Sequence, residues 1–191
     1  MTNFLKVAEG PVDELVRQIA SCDLWNAQPW RKTLSAHRQM DDIWVRYNDI
    51  APFVARGSMD GFNGPHIPVW YPAWHALPAL KPIVHGIVSR VQGEMLGGVL
   101  ITRVPPGGEI ARHVDSGWHV DYFDKFYVCL KGHEGATFSC EHDGAIEHLS
   151  PRPGDLHRFD NRKPHWVTNK GPGERMTLIV CVRTEMFRDA A

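Results

Sequence analysis

The sequence predicts a mainly β protein with some α-helix: an antiparallel sandwich or barrel of jelly-roll, cupin-like shape, with N-terminal helices packed on its outside. From Met95 to Arg183 the chain consists of short alternating or β-branched runs, which are typical of strands. Gly- and Pro-rich turns such as PPGG, HDGA and RPGD separate them, and this frequency of turns favours an antiparallel fold. The eight runs are GGVLITRV, EIARHVD, KFYVCLKG, ATFSCEHD, AIEHLS, DLHRFD, HWVTN and MTLIVCVRT.

The N-terminal half has a different sequence pattern, with helical spacing of apolar residues as well as one strand-like run. Apolar residues at helical spacing predict one helix near residues 12–19 and a second near 77–91. The alternation of Ile43, Val45 and Tyr47 predicts an early strand, and residues 61–76 are predicted to form an ordered loop. Because no repeat or long linker divides the chain, we predict a single domain over residues 1–191. In it, 1–94 form a helical and loop support and 95–184 form the β core.

Composition excludes several function classes. Lysine plus arginine (21) almost balance aspartate plus glutamate (22), so neither a nucleic acid nor an anionic membrane is an expected partner. The four cysteines form no C-x-x-C pair, which favours reduced thiols and a cytoplasmic location. The sequence shows no apolar signal region and no run of about eighteen apolar residues, so neither secretion nor a membrane span is expected.

A histidine and a carboxylate separated by one residue are the first candidate metal ligands. On a strand, His113 and Asp115 would project from the same face, and together they supply two thirds of a 2-His-1-carboxylate triad for Fe(II). A second H-x-D, His119 and Asp121, follows Ser116-Gly117, where the strand is expected to have ended. We therefore favour the first pair and interpret the second as rim or substrate-facing residues.

The third ligand must come from another strand, and the candidates are His133, His142, His148, His157 and His165. His165 is favoured because Arg175 follows it by ten residues and begins an otherwise apolar strand. A guanidinium in that position needs a carboxylate partner, and the far carboxylate of 2-oxoglutarate would supply one in bidentate geometry. Thr177 lies on the same face and would add a hydroxyl. Taken alone, His165 fits a buried core histidine and Arg175 fits a surface ion pair. Taken together, the two residues favour a cofactor site.

These motifs resemble those of a known family. The run from Gly98 to Thr184 resembles the double-stranded β-helix core of the aspartyl/asparaginyl β-hydroxylase family, nearer its bacterial prolyl-hydroxylase-like members. Thr102, the Pro-Gly turn, His113-x-Asp115, the PGDLHRFDN segment and His165 with Arg175 carry the resemblance. It implies that His113, Asp115 and His165 bind Fe(II), while Arg175 and the Thr102 hydroxyl hold 2-oxoglutarate.

The implied activity is hydroxylation of an unactivated C–H of an amino-acid side chain, free or in a peptide or protein. O2 is the co-substrate, and 2-oxoglutarate is decarboxylated to succinate and CO2. The family's founding branch has an arginine and a histidine facing the cofactor's other carboxylate, where this chain has Tyr127 and Cys129. Tyr127, together with Lys125, is the expected replacement. The intact His-x-Asp also argues against a halogenase, which needs that coordination position for chloride.

The alternative is a metal-binding cupin that does not use 2-oxoglutarate: an isomerase, another oxygenase or a barrel that binds a small ligand. Residues 154–161, GDLHRFDN, fit the end of a cupin's second motif with His157 as the ligand. The first cupin motif needs H-x-H, however, and residues 113–115 are His-Val-Asp. This alternative predicts a metal held by His157 in place of His165.

Overall fold

In the computed structural model, which describes residues 2–33 and 35–184, the chain forms two antiparallel β-sheets with helices outside them. The strands of the described part are β1 (Phe4–Glu9), β2 (Asp41–Tyr47), β3 (Val69–Trp70), β4 (Met95–Val104), β5 (Glu109–His113), β6 (Asp124–Lys131), β7 (Ala136–His142), β8 (Ala145–Leu149), β9 (Asp155–Phe159), β10 (His165–Asn169) and β11 (Arg175–Arg183). The larger sheet has the order β1-β9-β6-β11-β4-β2-β3, and the smaller sheet has the order β5-β10-β7-β8.

The helices are short apart from two that cover the larger sheet. They are α1 (Asp13–Ala20), α2 (Ala51–Ala55), α3 (Ala73–Ala76), α4 (Leu80–Arg90) and α5 (Trp118–Tyr122), with 3₁₀ turns at Pro29–Thr33 and Ser35–His37. None of the helices in the described part of the chain is long and apolar enough to cross a membrane.

Two of the three apolar clusters in the described part of the chain define the layers of the fold. Leu15 of α1 and Leu80 of α4 pack with Ile101 and Leu178 on the outer face of the larger sheet, and all four are fully buried. Between the sheets lies a second, aromatic layer that includes Phe4, Phe138 and Phe159. Burying each such side chain contributes about 1.5–3 kcal/mol, so these layers supply the main driving force for folding.

The predicted fold class is confirmed. Each of the eight predicted runs forms one strand, β4 to β11 in order, and the two predicted helices correspond to α1 and α4. Helix α4 tolerates Pro82 because this residue lies in its first turn, where no intrahelical N–H bond is lost.

The N-terminal part contributes more strand than the sequence indicated. β1 was not predicted, and it pairs with β9 at the edge of the larger sheet with an irregularity between Lys6 and Ala8. β2 lies between β3 and β4, and Ile43, Trp44 and Val45 are all buried, so its side chains are covered on both faces. Residues 1–94 therefore supply strands to the sheet as well as a helical support.

Candidate metal centre

Two histidines from neighbouring strands converge at one end of the space between the sheets. His165 begins β10 and His113 ends β5, and the two are direct partners across the antiparallel pair. Their ring centroids are 4.2 Å apart. Nε2 of His113 lies 3.4 Å from Oδ1 of Asp115, and Nε2 of His165 lies 4.0 Å from Oδ2 of the same carboxylate. One ligand atom from each residue lies within 4.8 Å of the others, which is a suitable spacing for a single metal ion.

Asp115 reaches this group from a loop and not from the strand predicted for it. β5 ends at His113, and Asp115 follows in an irregular segment before α5. Its backbone N–H donates to the carbonyl oxygen of Asn161 at 3.1 Å, which fixes the loop beside the end of β9. Gly117, with φ of 100°, then turns the chain into α5. The two side chains therefore converge through a loop contact and not through strand alternation.

Both histidines present the nitrogen that a metal needs. Nδ1 of His113 lies 2.7 Å from the carbonyl oxygen of Ala111, and Nδ1 of His165 lies 2.8 Å from that of Lys163. Because a carbonyl only accepts, each Nδ1 carries the hydrogen and each Nε2 keeps its lone pair. Burial lowers the pKa of His165 to about 4, so its ring is neutral near pH 7.

Asp115 is held as a carboxylate. Burial alone would raise its pKa, but the Lys125 ammonium and the hydrogen bond from Asn161 outweigh burial and hold the pKa well below the usual range. Nζ of Lys125 lies 2.5 Å from Oδ2, and Nδ2 of Asn161 donates to the same oxygen at 2.7 Å. Two imidazoles and one carboxylate are the donor set of a 2-His-1-carboxylate Fe(II) site.

Arg175 lies in the same pocket at the first position of β11. Its side chain is 4% exposed, and the guanidinium carbon lies 5.7 Å from the ring centre of Phe138. Burial lowers the pKa of Arg175, yet a guanidinium stays charged at neutral pH. Among the described residues it forms no ion pair, and the adjacent Glu174 pairs instead with Lys131 at 2.6 Å. A buried cation of this kind requires an anionic partner.

The other predicted cofactor residues surround Arg175. Thr102 on β4 and Thr177 on β11 are direct partners across the strand pair, and both are buried. Thr102 and Tyr127 line the pocket that contains Arg175 and the His–Asp–His group. Thr177 lines a smaller gap on the opposite side of Arg175, which Tyr127 also borders. Burial raises the pKa of Tyr127, which keeps its hydroxyl protonated as a hydrogen-bond donor.

A second cavity of about 340 Å³ opens directly beside the metal residues. His113 and Asp115 form one wall, and the aromatic side chains of Trp44, Tyr47 and Phe62 contribute to the others. This volume accommodates a small molecule or one large side chain.

The remaining candidate histidines lie outside the group. His157 on β9 is buried beside Thr177 and Arg175 in the small gap, away from the His–Asp–His group. His133 contacts the carbonyl of Gly173, His142 contacts Asp143, and His148 contacts the Ser139 hydroxyl. His119, from the second H-x-D, lines the larger cavity and accepts a hydrogen bond from the Gly98 N–H, whereas Asp121 is exposed.

Sequence reasoning missed part of the site. The sequence predicted no role for Asn161, and it predicted for Lys125 only a contact with the cofactor alongside Tyr127. In the structure, both residues contact Asp115. His37 was not a candidate, but its ring lies 4.9 Å from that of His113, and burial lowers its pKa to about 3. Lys125 could have been found from the sequence, because it lies two residues before Tyr127 on β6 and so projects from the same face of the strand. Nothing local to the sequence marked His37, because it reaches the site through the 3₁₀ segment before β2.

The fold and site together define a double-stranded β-helix with a His–Asp–His group between its two sheets. The sequence matches no protein-family model and no curated protein. Similar solved structures exist. An oxidoreductase of the 2OG-Fe(II) oxygenase family from Burkholderia pseudomallei superposes with a TM-score of 0.58 at 14% identity, covering 92% of this chain and 91% of that one.

Two prolyl hydroxylases are also similar. A prolyl-4-hydroxylase from Pseudomonas putida gives a TM-score of 0.53 at 19% identity, over 96% of this chain and 93% of that one. A prolyl hydroxylase from Trichoplax adhaerens, solved with a peptide fragment of the hypoxia inducible factor oxygen degradation domain, gives 0.60 at 17% identity, over 100% and 85%. At these identities the likeness shows the fold. The aspartyl/asparaginyl β-hydroxylase assignment stays a prediction.

Proposed function

We propose that this chain is an Fe(II)- and 2-oxoglutarate-dependent dioxygenase that hydroxylates an unactivated C–H of an amino-acid side chain, free or in a peptide or protein. One observation carries the proposal: a buried Arg175 without an acidic partner among the described residues lines the same pocket as His113, Asp115 and His165. A metal site alone would not need this cation. A metal site that also binds a dicarboxylate would need a cation for the second carboxylate.

His113, Asp115 and His165 would hold the metal through Nε2, a carboxylate oxygen and Nε2. Both imidazoles are oriented by backbone carbonyls, and Asp115 is ionised. With three protein ligands, such a site leaves three coordination positions open for the co-substrates. The bound metal and 2-oxoglutarate would supply the O2-dependent oxidation, with 2-oxoglutarate converted to succinate and CO2.

Arg175 would bind the far carboxylate of 2-oxoglutarate with two parallel N–H donors. The Tyr127 and Thr102 hydroxyls, which line the same pocket, would add hydrogen bonds to the oxoacid, and Thr177 approaches Arg175 from the other side. These contacts fix one end of the oxoacid and so direct its other end toward the His–Asp–His group. The surrounding wall includes the apolar side chains of Phe138 and Ile179, which exclude water and strengthen the charged contacts.

The cavity beside His113 and Asp115 would receive the group to be hydroxylated. Its volume of about 340 Å³ and its aromatic wall fit one amino-acid side chain better than a large ligand. A small molecule or a peptide segment could present such a group. The peptide complex of the Trichoplax neighbour supports a peptide among the candidate substrates. In this role the chain's residues place a C–H near the metal and keep bulk water away from it.

The geometry favours this function over the cupin alternative, because His157 lies beyond Arg175 and outside the group that could share one metal.

The proposal is tested by adding Fe(II) and 2-oxoglutarate to the protein without oxygen. We expect a weak visible charge-transfer band, and after admission of O2 we expect succinate to form. His165→Ala is the matched control and should lose both signals. The proposal fails if metal-replete protein gives neither the band nor any conversion of 2-oxoglutarate to succinate.

A further inference from the structure

The carboxylate of Asp115 is held unequally at its two oxygens. Oδ2 accepts hydrogen bonds from Nζ of Lys125 at 2.5 Å and from Nδ2 of Asn161 at 2.7 Å. Oδ1 faces Nε2 of His113 at 3.4 Å. Two donors therefore occupy Oδ2, which lies 4.0 Å from Nε2 of His165, and Oδ1 is the oxygen next to Nε2 of His113.

We propose that Lys125 and Asn161 are positioning residues that hold Oδ2 of Asp115, so that Oδ1 alone is offered to the metal, while the ammonium limits how tightly a dication binds. This inference rests on the proposed function, because it assumes that Asp115 is a metal ligand. It concerns residues of the chain that would not themselves touch the metal.

Asn161 holds Asp115 at two points. Its side-chain amide donates to Oδ2, and its backbone carbonyl accepts from the Asp115 N–H at 3.1 Å. The loop that carries Asp115 is thus fixed in both position and rotation. A neutral donor of this kind orients a ligand without adding charge.

Lys125 adds a charge as well as a hydrogen bond. Its side chain is 16% exposed, and Asp115 is its ion-pair partner within the described ranges. It lines both the pocket of Arg175 and the larger cavity, so it lies between the proposed oxoacid and substrate positions. An ammonium on one oxygen of a carboxylate repels a dication on the other. Removing the charge should therefore strengthen metal binding, whereas removing the neutral donor should weaken it.

The test measures Mn(II) affinity from the electron paramagnetic resonance signal of free Mn(II), without 2-oxoglutarate or O2. Asn161→Leu should weaken binding about 10- to 100-fold, as expected for the loss of an orienting contact. Lys125→Gln keeps an N–H donor but removes the charge, and it should tighten binding by about tenfold or more. Lys125→Met, which loses donor and charge, should fall between wild type and Lys125→Gln.

Lys131→Met is the matched control, because Lys131 lies on the same strand and pairs with Glu174 away from the metal residues. It should leave Mn(II) affinity unchanged. Melting temperatures identify any variant that fails to fold, in which case Asn161→Ala replaces Asn161→Leu.

Two results would overturn the inference while leaving the proposed metal site intact: Lys125→Gln weakening Mn(II) binding, or affinities of Lys125→Gln and Asn161→Leu equal to wild type. The metal site itself would instead be rejected if His165→Ala bound Mn(II) as tightly as wild type, or if the wild-type protein bound no Mn(II).

Discussion

His165 and His113 are direct partners on the paired strands β10 and β5, and the register of that pair is irregular immediately beyond them, between His165 and Val167. This places two imidazoles from distant parts of the chain side by side at the end of the smaller sheet. The strand pair positions the histidines, and the loop after β5 adds Asp115. The candidate metal site therefore depends on the pairing of these two strands more than on any single motif.

The first prediction separates the two possible third ligands. His165→Ala should abolish high-affinity Mn(II) binding, because it removes one of the three ligands that converge in the described part of the chain. His157→Ala should keep Mn(II) bound, since His157 lies near Arg175 and outside the metal group. Equilibrium dialysis with metal analysis measures both variants. Metal retained by His165→Ala and lost by His157→Ala would favour the cupin alternative.

The second prediction compares how much the hydroxyls of Thr102 and Thr177 contribute to the affinity for 2-oxoglutarate. Thr102 lines the pocket between Arg175 and the His–Asp–His group, whereas Thr177 faces the gap on the other side of Arg175. Thr102→Val should weaken 2-oxoglutarate binding about 10- to 150-fold, as the loss of a hydrogen bond to a charged group costs about 1.5–3 kcal/mol. Thr177→Val should have a smaller effect, and isothermal titration calorimetry gives both values. A larger effect for Thr177→Val would move the oxoacid to the other side of Arg175.

The third prediction concerns the dependence of stability on pH. Burial lowers the pKa of His37 and His119 to about 3 and that of His165 to about 4, against 6.5 for an ordinary histidine. Between these values and 6.5 the unfolded chain binds protons that the folded protein does not. Stability of the metal-free protein should therefore be complete above about pH 6.5 and fall as the pH decreases toward 4.

His119→Gln tests the contribution of one buried ring outside the metal group. The free energy of unfolding, measured by urea denaturation from pH 8 to 4, should fall less steeply in the variant, by up to about 1.4 kcal/mol per pH unit. The comparison uses slopes, so a constant loss of stability does not affect it. Parallel curves for wild type and His119→Gln would contradict the assignment of His119 as a buried neutral ring.

Much of the fold could be predicted because its signals are local. Strands β4 to β11 each combine alternation or β-branched residues with a Gly- or Pro-rich turn, and both features are visible in a short stretch of sequence. β1 carries no such signal, since only its pairing with β9 defines it. The single domain over residues 1–191 stays a prediction. Limited proteolysis that released a stable fragment of 95–184 would contradict it.

The site was predictable only where residue type and spacing carry chemistry. His113, His165 and Arg175 are polar or charged residues in strands, and Asp115 follows His113 by two residues, so their types and spacing indicated a cofactor site. Asn161 contacts Asp115 only after the loop following β5 has met the end of β9. Such a contact depends on tertiary register, which no spacing rule encodes.

Calorimetric titration of 2-oxoglutarate into Mn(II)-loaded protein measures whether Arg175 binds the far carboxylate of the oxoacid, as proposed. Arg175→Ala should weaken binding about thirtyfold to several thousandfold, since losing a buried hydrogen-bonded charge pair costs about 2–5 kcal/mol. Arg175→Lys should recover only part of this affinity, because an ammonium lacks the two-pronged geometry. Arg103→Ala, which removes a partly exposed arginine paired with Asp41, is the control and should bind as wild type does. Unchanged 2-oxoglutarate affinity in a folded, Mn(II)-binding Arg175→Ala variant would show that Arg175 does not bind the oxoacid.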